Sequence, residues 1–433
     1  MFFGSLADDN QTVVCLSTES RKQIESPKFP GDRNKMSVDL NRTIGNTKFT
    51  VQWLLDRLEE KCMKYQTLSK DSTLHKFDVK VISEGMGYLS AVYCCILEFE
   101  GRTNNSISVC LKVPSLAKVE SMVQDKSALE EISGVHNREC AFYEKFASDS
   151  GILIPQIYSL QRLGQTTEIS SEPHILMEFL DGGANISLGD TFTVELLHSC
   201  ADQLAKLHAF SLKNPDLWAE GFEPIDFGKK QNKDNNAFDE MADKINQTLE
   251  KYGGPELLEA VKGLDPVAKD ADFINYPFNR SVCSVLIHGD LWGNNVIVKT
   301  VDGKFTNEVR GFIDWQITCA SNPSIDLIRL LVINTDTLIR RDHERSILRF
   351  YYDCFCRELS PQPPPFSFDQ LFRASRAPFI GQVLFGCFLG AFHFQREDQE
   401  KERKIYLNRL KEAAIDANKI MNEHKHQWTT WHL

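Results

Sequence analysis

The chain has 433 residues, 42% hydrophobic and 25% charged, a make-up that excludes collagen-like, mucin-like and wholly disordered proteins. Its 49 Lys and Arg against 60 Asp and Glu leave a formal charge of −11, so a nucleic-acid partner, whose phosphates an acidic chain repels, is not expected. The 12 cysteines include no C-x-x-C pair, which argues against zinc and thioredoxin-like sites, and they read as the reduced thiols of a cytoplasmic protein.

Residues 1–48 read as a poorly ordered extension, polar from Thr18 to Asn46 and interrupted by Pro27, Pro30 and Gly31. Met1 to Leu6 precede Asp8 and Asp9 without a basic residue, so no signal peptide is expected. From Thr50 to Tyr65 the apolar positions Val51, Leu54, Leu55, Leu58 and Cys62 recur at helical spacing. The period then shortens to that of strands: Phe77, Val79 and Val81 alternate, Tyr88 to Phe99 is β-branched and aromatic, and Ile107, Val109, Leu111 and Val113 alternate again. Val135 to Ala147 predicts a helix, and Ile154 to Leu163 and His174 to Leu180 predict two more strands. The result is five strands with one helix after the third.

Beyond Gly182 and Gly183 the pattern turns helical. Val194 to Phe210 carries Leu197, Ala201, Leu204, Ala205 and His208 on one stripe, with His208 reading as a hydrogen-bonded core histidine. Residues 213–280 form a polar connector with short helices such as Asn236 to Tyr252. Val282 to Ile287 is an apolar strand, and Val296 to Lys299 with Val309 to Ile313 forms a hairpin about Asp302-Gly303. From Asn322 onward the chain reads as helices, apart from the cluster Pro361 to Pro365. Ala377 to Phe394 lacks charge for 18 residues, but it contains Gln382, His393 and three glycines, so it reads as a buried core helix and not a membrane span. The organisation expected is an α+β chain: residues 1–48 an extension, 49–181 a small β-rich lobe, and 182–433 a large helical lobe.

The segment Ile287 to Val298 (IHGDLWGNNVIV) places His288, Asp290 and Asn295 as H-x-D-x-x-x-x-N on a polar loop between two apolar strands. Phosphoryl transfer needs a carboxylate to orient a hydroxyl, and an amide oxygen nearby to hold magnesium. A second apolar strand ends at Asp314 in Gly311-Phe312-Ile313-Asp314-Trp315-Gln316, where a further metal carboxylate is expected. Asn294 is a neighbour that spacing disfavours against Asn295, and Trp292 and Trp315 read as packing. His288 reads as tying the loop together.

HGDLWGNN followed by IDWQ resembles the choline-kinase-like (CHK), or ecdysteroid-kinase-like, family, particularly its nematode branch. These proteins are relatives of the choline and aminoglycoside kinases. The resemblance covers about residues 50–425. It implies a protein-kinase-like two-lobed α+β fold, with a small five-stranded antiparallel N-lobe carrying one helix and a large mainly helical C-lobe. It further implies Asp290 as catalytic base, His288 as its loop-ordering companion, and Asn295 and Asp314 as metal ligands. In the N-terminal half it implies a nucleotide site: Gly85, Gly87 and Ser90 on a turn approaching phosphate, Lys112 on the third strand contacting phosphate, and Glu139 on the following helix pairing with Lys112. Glu178 and Leu180, in Met177-Glu178-Phe179-Leu180, match the hinge that holds adenine through its backbone. Asp326 matches a residue bracing the catalytic loop, although by position alone it would also cap the helix beginning near Pro323.

ATP and Mg2+ are the cofactors so implied, and the partner is a small-molecule hydroxyl acceptor: a steroid-, choline- or xenobiotic-like alcohol. No A-P-E signature of an activation segment follows Asp314, which favours a small acceptor over a protein. The competing expectation is a catalytically silent nucleotide-binding pseudokinase or scaffold.

Overall fold

The computed structural model describes residues 38–83, 90–101, 105–114, 126–164, 172–224, 237–264, 282–394 and 396–423. Among these the chain divides into two compact units, one of residues 38–143 and 155–181 and the other of residues 144–154 and 182–423.

The first unit begins with Thr50, whose hydroxyl accepts from the Trp53 N–H and starts helix α1 (Val51–Lys61). The single helix expected to Tyr65 is instead two, because Cys62 leaves helical dihedrals and its buried side chain joins the core; α2 (Met63–Asp71) follows. Strands β1 (Leu74–Ser83), β2 (Ser90–Phe99) and β3 (Ser106–Pro114) precede helix α3 (Lys126–Phe146), whose last residues belong to the second unit. Strands β4 (Ile157–Gln161) and β5 (His174–Glu178) complete a five-stranded sheet in the order β1-β2-β3-β5-β4, antiparallel at every pairing. This is the expected α+β class.

The two-residue period assigns the sheet faces. Tyr93, Cys95, Leu97, Ile107, Val109 and Leu111 pack with α1 residues Val51, Leu54, Leu55 and Leu58 into one core. Cys110 and Lys112 fall on the opposite face of β3. The expectation of a poorly ordered residues 1–48 lies mostly outside the described residues. Within 38–48, Ile44 is fully buried in this same core, and Thr43 bridges to Thr50, so the apolar side chain inside that polar stretch anchors it.

The second unit opens with the short strand β6 (Gly183–Asn185), absent from the sequence reading, then helix α4 (Val194–Lys213), α5 (Ala237–Thr248) and α6 (Gly254–Lys262). β7 (Val285–Ile287) is wholly buried. β8 (Val296–Val301) and β9 (Lys304–Phe312) form the expected hairpin, with Asp302 and Gly303 both at positive φ. The sheet order is β6-β8-β9, and β10 (Cys319–Ser321) pairs with β7. Helices α7 (Ile325–Ile333), α8 (Thr337–Leu359), α9 (Phe368–Ala374), α10 (Arg376–His393) and α11 (Glu400–Glu423) follow. α8 packs along α4, where His208 is fully buried and its Nδ1 hydrogen-bonds the Tyr351 hydroxyl at 2.7 Å. The charge-free segment forms α10 beyond Arg376. The helical stretch Phe368–His393 that holds it is long and apolar enough to cross a membrane, yet α10 packs against α7 and α11, and Tyr406 of α11 donates to the Gly386 carbonyl.

Candidate active site

Buried β7 delivers the chain into the loop 288–295, and β8 carries it away. Gly289 adopts φ +83°, and a Cβ there would lie 2.5 Å from the Ile317 carbonyl oxygen, so the turn excludes any side chain. Asp326, fully buried at the start of α7, accepts from the His288 N–H at 2.7 Å and the Gly289 N–H at 3.0 Å. It is therefore the brace of the loop, and Ser324 occupies the helix cap position instead. Two charge-assisted bonds of this kind are worth about 1.5–3 kcal/mol each. Burial pushes the Asp326 carboxyl up to about 6, and the donated N–H groups and Arg329 hold it back.

His288 is also fully buried. Its Nε2 donates to the Ile313 carbonyl at 2.9 Å, and its Nδ1 accepts the Asp290 N–H at 3.2 Å. Both ring nitrogens are thus engaged by backbone, and burial holds the imidazole down near 4, in the neutral form. Sequence placed His288 beside the base Asp290 as the residue that orders the loop, and with both ring nitrogens engaged by backbone the geometry fits a positioning residue. Trp315, fully buried, lies 4.3 Å from the imidazole and fills the space beneath it.

Asp290 keeps about 19% of its side chain exposed. Its Oδ1 accepts from Arg329 Nη1 at 2.7 Å, and Asn295 Nδ2 donates to its main-chain oxygen at 2.8 Å, with Oδ2 at 3.4 Å. Burial pushes the Asp290 carboxyl up to about 7. Arg329 opposes the shift, and Asp314 and Asp326 add to it. Asn295 is held in turn by its carbonyl, which accepts the Ile313 N–H at 3.1 Å, and by the adjacent pairing of Val296 with Phe312. That register brings the end of β9, and so Asp314, beside Asn295. Asp314 sits at φ +67°, a left-handed conformation that strains a non-glycine residue and concentrates at functional sites.

These residues fit a hard divalent cation. The Asn295 amide nitrogen is tied back to Asp290, which leaves the amide oxygen as the group available to a metal, and Asp314 adds a carboxylate; oxygen donors of this type suit magnesium. Among the described residues no group of three or more His, Cys, Asp or Glu is assembled as a metal cage.

In the other unit, Lys112 on β3 lies opposite Val92 and Ile175, at the centre of the sheet. Its Nζ meets Glu139 Oε2 of α3 at 2.6 Å, with 6% of Lys112 and 1% of Glu139 exposed. A buried ion pair of this sort is weak evidence for stability and better evidence for a fixed charge. Glu178 pairs with Val109 and its Oε2 accepts the Gln156 N–H at 3.2 Å, so its side chain serves the strand junction while its backbone ends β5. Leu180 is buried two residues on, and Ser90 begins β2 opposite Pro114. Gly85 and Gly87 lie outside the described residues. The expected site residues therefore assemble as two groups: His288, Asp290, Asn295 and Asp314 in one unit, and Ser90, Lys112, Glu139, Glu178 and Leu180 in the other.

A family described as "Uncharacterized oxidoreductase dhs-27" (DUF1679) matches residues 46–427. The chain belongs to this family. The Caenorhabditis elegans protein of that name is 24% identical over 372 residues, which cover 79% of this chain and 42% of that protein, so the chain spans well under half of that relative. A second Caenorhabditis elegans protein, "Uncharacterized kinase-like protein D1044.1", is 25% identical over 286 residues, 63% of this chain and 70% of its own length. Solved structures with similar coordinates include a choline kinase from Cryptosporidium parvum Iowa II (11% identity, TM-score 0.47, covering 88% of this chain and 99% of that one). An aminoglycoside 2'-phosphotransferase-IIIa mutant with GDP is another (13% identity, TM-score 0.43, covering 84% and 99%). Likeness at this level leaves function to the geometry of the site.

Three side chains of this DUF1679 member support the loop without having been given a role at the site from sequence. Arg329 binds Asp290. Asn334, fully buried, accepts the Gly293 N–H at 2.8 Å. Gln382 accepts from Arg329 Nε at 2.7 Å. A signal existed for two of them. Arg329 is the one cation in the helix Ile325–Ile333, apolar apart from it and Asp326, and Gln382 interrupts the charge-free run from Ala377; a polar group in such a setting must find a partner.

Proposed function

We propose that the chain is an ATP- and magnesium-dependent phosphotransferase acting on the hydroxyl of a small molecule. The observation that carries this reading is the loop carboxylate Asp290, partly exposed, flanked by the oriented amide of Asn295 and the strained Asp314. Asp290 would align the acceptor hydroxyl and take its proton as the oxygen attacks. Asn295 and Asp314 would hold magnesium, which when bound would supply positive charge to offset that of the phosphates. Lys112, fixed by Glu139, would contact phosphate. Beyond positioning and charge neutralisation little is asked of the protein.

The oxidoreductase name of the longer relative suggests a second reading. A dinucleotide-binding doubly wound sheet is built from parallel strands, whereas each described strand pairing here is antiparallel. The kinase reading is therefore preferred for this chain. We place it in the cytoplasm, a proposal supported by eleven free cysteines among the described residues; Cys94 and Cys110 face each other across β2 and β3 as thiols. The acceptor class stays a steroid-, choline- or xenobiotic-like alcohol. ATP consumption against a panel of hydroxylated small molecules, with Asp290→Asn as control, tests the reading. Acceptor-dependent turnover lost in the variant supports it. Tight nucleotide binding without turnover by any acceptor would identify a pseudokinase instead.

A further inference from the structure

We propose that Arg329 is a positioning residue for Asp290, selecting which carboxylate oxygen meets the acceptor hydroxyl; the proposal rests on the phosphotransferase reading above. A carboxylate on a short side chain rotates broadly about its last torsion, so a base that must point one oxygen at a substrate needs its other oxygen held. Arg329 Nη1 holds Oδ1 at 2.7 Å. Asn295 Nδ2 approaches Oδ2 at a long 3.4 Å and the Trp292 side chain also donates to the carboxyl group, so Oδ2, the oxygen Arg329 does not hold, is the one suited to accept from a hydroxyl. The guanidinium is itself immobilised. Its Nε donates to Gln382 Oε1 at 2.7 Å, its plane lies 4.0 Å from the Phe385 ring centroid, and the residue is 6% exposed. A relay thus runs from α10 through Arg329 on α7 to the loop. Without that cation, Asp290 would face the like charges of Asp314 and Asp326 with no counterweight from α7.

Arg329→Met removes the charge and the fork while keeping an apolar stem against Phe385. In the full chain, turnover should fall about 10²-fold, the size of a lost orienting contribution, with nucleotide affinity unchanged. Added guanidinium ion at low millimolar concentration should restore part of the Arg329→Met turnover and leave wild type unaffected. Placed on Asp290→Asn, the same substitution should cost little more, because two residues acting as one unit are non-additive. Gln382→Leu provides the check should Arg329→Met fold poorly: it leaves the ion pair and removes the relay, and should lower turnover without altering nucleotide affinity. A loss that only tracks the folded fraction, no response to guanidinium, full additivity with Asp290→Asn, or a fully active Gln382→Leu would each overturn the proposal. A wild type that transfers phosphate to no acceptor and to no water overturns the functional reading along with it; an active wild type with an active Arg329→Met overturns this proposal alone.

Discussion

Asp314 carries the conformational strain of the site, and the strain defines a test. Asn tolerates the left-handed region better than most residues and keeps the volume, so Asp314→Asn should leave the melting temperature unchanged or slightly raised. Nucleotide binding in that variant should lose its response to magnesium; an unaltered response would remove Asp314 from the ligand set. Asp326 is the opposite case. It reaches no substrate, but its removal strands two buried N–H donors, so Asp326→Ala should cost about 2–5 kcal/mol, read as a lower denaturant midpoint. At this scale the sequence was informative where chemistry is local in the chain. Asp290 and Asn295 are five residues apart, and the hairpin register brings Asp314 to them. Arg329 and Asn334 reach the loop from 39 and 41 residues away, and no spacing rule announces such a contact. The loop-ordering role of His288 was legible in the sequence, whereas its two backbone partners, Ile313 and Asp290, are visible only in the folded loop.

Elements were legible in proportion to their length and periodicity. The alternating strands β1 to β3 and the stripe of α4 were read from their spacing, whereas β6 and β10, three residues each, are set by their neighbours rather than by pattern. The break at Cys62 was hidden because its side chain keeps the apolar rhythm of α1 while its backbone does not. Buried histidines fasten several of these elements. His174 of β5 donates through Nδ1 to the Glu172 carbonyl and accepts through Nε2 from Ser159 of β4. His136 of α3 donates to the Gln161 carbonyl, and His208 joins α4 to α8. Burial lowers them to about 4, 4 and 3 respectively. The unfolded chain then binds protons near pH 6.5 that the folded chain refuses, so stability should decline as pH falls below about 6.5 and keep declining to about 4. Melting temperatures across that range check this; a flat profile would mean the histidines protonate within the fold.

For the whole molecule, composition and element order were enough to read an α+β chain of five strands, one helix and a helical remainder, because a change of hydrophobic period from 2 to 3.6 marks the transition along the chain; the antiparallel pairing of the sheet came from the family resemblance. The charge-free α10 shows the limit of composition, since the same segment fits a membrane or a core and only its packing against α7 and α11 decides. What the molecule does rests on Asp290, and one comparison tests it most directly. Wild type and Asp290→Asn are measured side by side for melting temperature, nucleotide affinity and phosphotransfer to an active acceptor. The account predicts a folded variant with nearly unchanged nucleotide affinity and turnover lower by about 10² to 10⁴. A well-folded Asp290→Asn protein that retains full phosphotransfer would contradict it.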